Sequence, residues 1–178
     1  MSLVIRTVRD ASTDDAAACS TIYAPYVLDT AITFESEPPD AAEFAERISL
    51  ASARYAWLVL EDDGRVTGYA YAGSFSKRPA YRFACEVSVY LERGSRRSGG
   101  GRALYGALLP RLAQRGYHRA AAGMTLPNEA SIRLHRALGF EPVGTYRRVG
   151  WKHGRWHDVA WVQRDIGDAV DAPPTELR

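Results

Sequence analysis

An apolar run that turns through three consecutive glycines into a leucine-rich helix constrains this chain more than any other feature. Val87-Ser88-Val89-Tyr90-Leu91 reads as a strand, and Arg96-Arg97-Ser98-Gly99-Gly100-Gly101-Arg102-Ala103 follows it as a turn and a helix start. Amide N–H groups at a helix N-terminus point outward, and the helix dipole favours negative charge there. Glycines let the backbone approach an anion closely, and the flanking arginines attract it. The segment therefore has the make-up of a pyrophosphate cradle. The plainer alternative is a glycine-rich surface turn with solvated arginines. A Walker A loop is excluded by the lack of a Lys-Ser/Thr pair, and the glycine spacing is not that of a dinucleotide fingerprint.

The rest of the chain builds an α/β frame around this segment. Period-2 patterns predict strands at 3–8, 55–61, 66–74, 83–91 and 120–125. Helical spacing predicts helices at 14–28, 40–53 (capped by Asp40), 101–114 and 129–138, the last stopped by Gly139. Pro110 is expected to interrupt and bend the third of these. Asp62-Asp63-Gly64 signals one hairpin. His153-Gly154 signals another between 144–151 and 156–163, which sets Lys152 opposite Arg155 and Trp151 opposite Trp156. Strand–helix–strand order in the middle implies a parallel pair, whereas the hairpins imply antiparallel neighbours, so the sheet is mixed. Residues 1–167 read as one domain and 168–178 as a frayed tail.

Composition narrows the function classes. With 46% hydrophobic and 25% charged residues, the chain is a globular domain rather than a disordered one. No apolar run reaches bilayer length, and the N-terminus lacks the layout of a signal peptide, so the expected place is the cytoplasm. A net charge of +2 does not support a nucleic-acid partner. Cys19 and Cys85 sit in apolar runs and read as buried free thiols.

Two motifs carry a family resemblance. Arg96-x-x-Gly99-x-Gly101 matches the Arg/Gln-x-x-Gly-x-Gly/Ala loop of the GNAT superfamily of acetyltransferases, which the chain resembles. The run from Asn128 to Phe140, Asn-Glu-Ala-Ser-Ile-Arg-Leu-His-Arg-Ala-Leu-Gly-Phe, matches its companion motif. The resemblance implies a mixed central sheet flanked by helices on both faces, with acetyl-CoA as the acetyl donor. It gives Val89, Tyr90 and Leu91 to the pantetheine arm, residues 96–103 to the pyrophosphate, and Asn128 to the arm as well as to the helix cap.

Thr33-Phe34-Glu35-Ser36-Glu37-Pro38, Arg78-Pro79-Ala80-Tyr81 and the run from Gly150 to Asp158, Gly-Trp-Lys-His-Gly-Arg-Trp-His-Asp, are similar to the phosphinothricin and methionine sulfoximine N-acetyltransferases. That likeness implies a small amino-acid analogue acetylated on its α-amine, and a homodimer. It implies that Arg78 and Tyr81 hold the substrate's anionic ends, and that Phe34 forms an aromatic wall beside Glu35. Arg78 is also physically suited to that role, because a planar guanidinium grips a carboxylate bidentately. The alternative for Arg78 is a solvated loop cation beside Lys77.

Two residues are candidates for proton transfer. Alternation along 83–91 places Glu86 with Ala84, Ser88 and Tyr90, a carboxylate in an otherwise apolar central strand. Desolvation would raise its pKa toward that of a general base for the substrate ammonium. The alternative is a structural glutamate bonded to backbone or to a tyrosine. His135 shares a helical face with Ile132 and Leu138 and reads either as a core residue or as an auxiliary acid or cofactor contact. His153 and His157 flank a turn on opposite hairpin arms, and nothing completes a metal site with them. No elbow surrounds a serine, so direct attack of the amine on the thioester is expected. Two other functions stay open, acetylation of a protein N-terminus, polyamine or aminoglycoside, and a non-catalytic acyl-CoA sensor; the nearly balanced charge argues against a nucleic-acid module.

Overall fold

Turn chemistry and alternation generate a seven-stranded sheet in the order β1-β2-β3-β4-β5-β7-β6, seen in a computed structural model that describes residues 5–94 and 99–167. The strands are β1 (Arg6–Asp10), β2 (Trp57–Asp62), β3 (Arg65–Ser74), β4 (Ala84–Leu91), β5 (Arg119–Thr125), β6 (Glu141–Lys152) and β7 (Arg155–Asp165). The helices are α1 (Ala16–Asp29), α2 (Ala41–Arg54), α3 (Gly100–Gln114) and α4 (Glu129–Ala137). All neighbours are antiparallel except β4 and β5, the expected parallel pair. Both hairpin turns form where expected. Asp63 and Gly64 take φ of 52° and 79°, and His153 and Gly154 take 50° and 72°, the left-handed values a tight two-residue turn needs. Trp151 faces Trp156 and Lys152 faces Arg155, as the pattern requires.

Each face of the sheet has its own core. On one, α3 inserts Leu104, Tyr105, Leu108 and Leu112 against Leu58, Leu60, Ala70, Cys85 and Val87, and Leu134 and Leu138 of the α4 segment join from the side. On the other, α1 and α2 bring Cys19, Ile22, Tyr23, Phe44 and Ile48 onto Trp57, Val59 and Tyr69. The rings of Trp57 and Tyr71 stack at 4.4 Å in this second layer.

Two boundaries and the course of α3 differ from expectation for identifiable reasons. The first strand runs on to Asp10 because its charges are neutralised locally: Arg9 bonds Asp15 at 2.8 Å and Glu61 at 2.6 Å. A short 3-10 turn, Thr13–Asp15, precedes α1 and is closed by a Ser12–Asp15 capping box. Pro110 does not interrupt α3. Its ring lies on the exposed side, and buried Leu108, Leu109 and Leu112 anchor the helix before and after it. The proposed tail, 168–178, lies outside the described residues. Within β6 the register shifts between Tyr146 and Gly150, where Arg148 takes a φ of 48° and donates its N–H to Asp158 Oδ1 at 2.7 Å.

Candidate active site

β4 and β5 are registered at three positions only: Ala84 with Arg119, Cys85 with Ala120, and Glu86 with Ala121. Beyond Glu86 the two strands part. β4 remains paired with β3 as far as Leu91, and β5 with β7 as far as Thr125. The β4 backbone groups turned toward β5 are thus left without a strand partner. Between the strands lies a groove of about 760 Å³, walled by residues 87–91 of β4 and 122–124 of β5. Residues 99–102 at the start of α3 contribute to it, as do Asn128, Ser131, Leu134 and His135, while Tyr26 and Ile32 join from the α1 side.

The glycines at the start of α3 are demanded by the geometry. Gly99 is the N-cap with a φ of 79°, a left-handed conformation that strains any other residue. A Cβ on Gly101 would sit 2.9 Å from the Leu134 side chain, so any larger residue there requires that side chain to shift. Ala103 is the first amide to bond back, to the Gly99 carbonyl at 3.0 Å, so Gly101 and Arg102 present amides with no intrahelical acceptor. Ala103 itself packs against the core under α3 and does not line the groove. Arg96, Arg97 and Ser98 lie outside the described residues. Asn128 caps α4, its Oδ1 accepting from Ser131 N at 3.2 Å, and it faces the groove as expected.

Glu86 is the last β4 residue in register with β5; it lies just before the groove-lining stretch 87–91, on the face of Ser88 and Tyr90, and does not itself line the groove. It is half-buried, and burial pushes its pKa above the ordinary carboxylate value; among the described residues no cation or hydrogen bond opposes that effect. Its charge is felt by Tyr71 and Tyr105, whose own pKa values are raised chiefly by burial.

His135 is buried between Tyr105 and Phe140, with ring centroids 5.4 and 5.0 Å away. Its Nδ1 lies 2.8 Å from the Ser131 carbonyl oxygen, which can only accept, so Nδ1 carries a proton. Desolvation lowers the pKa of the ring and keeps it neutral. Nε2 therefore holds a lone pair, which accepts from the Tyr105 hydroxyl at 3.3 Å. So arranged, the imidazole turns an acceptor toward Tyr105 and has no second proton to give.

The residues assigned to the amino-acid substrate stand outside the groove. Arg78 opens a short 3-10 turn, Pro79–Tyr81, between β3 and β4, and its side chain is exposed. The Tyr81 ring packs edge-on to Phe75 at 5.6 Å. Phe34 lies over Gly150, and the Glu35 carboxylate is engaged by Arg47 at 2.8 and 3.2 Å. Ile32, on the same loop as Phe34, reaches the groove wall, as do Tyr26 and Tyr105. Sequence reasoning missed these three, because their helical or loop spacing marks them only as apolar. Among the described residues, no group of three His, Cys, Asp or Glu side chains could hold a metal ion.

A mixed sheet flanked by helices on both faces is the arrangement the sequence resemblance implies, and comparison with known proteins agrees. Residues 5–161 match the family described as acetyltransferase (GNAT) domain. The chain belongs to the GNAT acetyltransferases. It is 39% identical over 171 residues to a phosphinothricin N-acetyltransferase of Streptomyces viridochromogenes, covering 96% of this chain and 92% of that one. It is 36% identical to an L-methionine sulfoximine/L-methionine sulfone acetyltransferase of Salmonella typhimurium, over 91% of this chain and 95% of the other. The crystal structure of a GNAT phosphinothricin acetyltransferase from Sinorhizobium meliloti in complex with acetyl-CoA superposes with a TM-score of 0.91 at 42% identity, covering 96% and 94% of the two chains. This GNAT protein is an acetyl-CoA-dependent N-acetyltransferase, and its groove fits that donor. Glycines 99–101 line the groove without side chains, and the β4 edge beyond Glu86 has no β5 partner, an arrangement compatible with a phosphate and an extended amide-bearing arm.

Proposed function

We propose that this enzyme acetylates the α-amine of a small amino-acid analogue of the phosphinothricin, methionine sulfoximine or methionine sulfone type, and that Glu86 is the base. Acetyl-CoA supplies an activated acetyl group on a thioester. The observation that carries the reading is the placement of Glu86: an unpaired, half-buried carboxylate where β4 and β5 separate, its pKa raised by burial. An α-amine arrives as an ammonium at neutral pH and must lose its proton before it can attack directly. A carboxylate there attracts the cation and accepts the proton, directly or through one water. Residues 87–91, 99–102 and Asn128 hold the donor, with Arg96, Arg97 and Ser98 completing the pyrophosphate loop. His135 acts as a groove contact that orients Tyr105. Arg78 and Tyr81 take the substrate's anionic groups, with Phe34 as the wall and Glu35 fixing its loop through Arg47. The names of the relatives support this choice of substrate.

We further propose one domain over residues 1–167, a cytoplasmic location and a homodimer. Exposed Val143, Tyr146, Val149, Trp151 and Trp156 along the β6 edge and hairpin support the last. The test of the substrate reading is thiol release from acetyl-CoA across a panel of free amino acids, their analogues, polyamines and peptides. Turnover should be confined to amino acids and analogues. Arg78→Ala should raise their KM by about one to two decades, the usual cost of losing a charged hydrogen bond, and leave the acetyl-CoA KM unchanged. An unaltered amino-acid KM in that variant would place substrate binding elsewhere.

A further inference from the structure

The tip of the β6–β7 hairpin reaches the last turn of α1 and the loop that follows it, and holds both by their backbone. Lys152 Nζ donates to the Val27 carbonyl at 2.7 Å and to the Thr33 carbonyl at 2.9 Å. His153 Nε2 lies 3.2 Å from the Thr30 carbonyl and donates to it. Behind them, buried His157 donates from Nε2 to the Lys152 carbonyl at 2.9 Å, fixing the backbone from which Lys152 extends. The Phe34 ring lies on Gly150 and fills the space a Cβ would need there, 6.2 Å from the His157 ring. Residues 30–40 form no helix or strand, so their placement depends on such ties. Burial pushes the Lys152 pKa down, a cost that its two carbonyl contacts offset in part. None of Gly150, Lys152 or His157 lines the donor groove.

We propose that this tip is a clamp that sets the position of Phe34 against the acceptor amino acid, with Gly150, Lys152 and His157 as positioning residues for acceptor selectivity. The inference rests on the reading of Phe34 as a wall of the amino-acid site. The Trp-Lys-His-Gly-Arg-Trp-His-Asp run thereby acquires a role, since it grips a loop more than a hundred positions away, across separations of 119 and 125 residues.

Steady-state kinetics of the full chain with phosphinothricin and methionine sulfone test the clamp. Lys152→Met keeps most of the length of the side chain but removes its donors. It should raise the acceptor KM about tenfold while the acetyl-CoA KM stays within about twofold. Gly150→Ala leaves Lys152 intact but displaces the Phe34 ring, and should give the same split. Because Lys152 acts through Phe34, the double variant Phe34→Ala/Lys152→Met should match Phe34→Ala alone. Hydrogen exchange over residues 30–37 should quicken in Lys152→Met while the sheet is unchanged. Unchanged loop exchange, an unmoved acceptor KM, or losses that multiply in the double variant would overturn the clamp. If Phe34→Ala itself leaves the acceptor KM unmoved, the reading of Phe34 fails first and the clamp with it.

Discussion

Glu86 sits where burial favours its neutral acid, yet the reaction requires it ionised. A carboxyl whose folded pKa is raised has its full stability below the unfolded value, about 4.3, and loses stability as pH rises through the folded value. Glu86→Gln should therefore melt higher than the parent at pH 7, and the difference should vanish below about pH 4. The same variant should lose about two to four decades in kcat/KM, with a smaller loss at high pH, where the amine deprotonates unaided. Melting curves at both pH values and a pH–rate profile check the pair of effects. A variant that keeps the parental acidic limb and rate removes Glu86 from the mechanism. This position was legible in the sequence, because strict alternation from Phe83 to Leu91 isolates one carboxylate on a face shared with Ser88 and Tyr90. The state of His135 was not legible. Its proton is placed by a backbone carbonyl one helical turn away and by Tyr105 on a different helix, which no spacing reports.

At the scale of elements, the start of α3 depends on what lies above it. Gly101→Val would drive a side chain into Leu134, which would have to shift within the groove it helps to wall. Calorimetry should show acetyl-CoA affinity reduced at least about tenfold in a folded Gly101→Val protein, and unchanged affinity would sink the cradle assignment. Both hairpins and the parallel crossover were readable because their signals are local: Asp-Gly and His-Gly turns, alternation, and a helix between two strands. Two things were not. Arg9 and Asp10 look like strand breakers until Asp15 and Glu61 are seen beside Arg9, and Arg111 beside Asp10. The grip of Lys152 on residues 27 and 33 is equally hidden, since it depends on which distant loop the hairpin meets.

For the molecule as a whole, the β6 edge raises the question of partners. Residues 141–149 are exposed throughout, and Trp151 and Trp156 are 59% and 55% exposed. If two copies cover this surface, the protein should sediment as a dimer, and Tyr146→Glu or Trp156→Glu should shift it toward monomer with the donor groove intact. Monomeric sedimentation of the parent at micromolar concentration would reject the dimer. The sheet order carries a consequence of its own. Strands β1 to β4 form one ribbon and β5 to β7 another, and the two are stitched by three rungs at residues 84–86. What enters the opening beyond those rungs touches both ribbons at once, as a keystone touches both arms of an arch. A molecule bound there therefore adds a second tie between the two ribbons, beside the three rungs and the core that α3 shares with both.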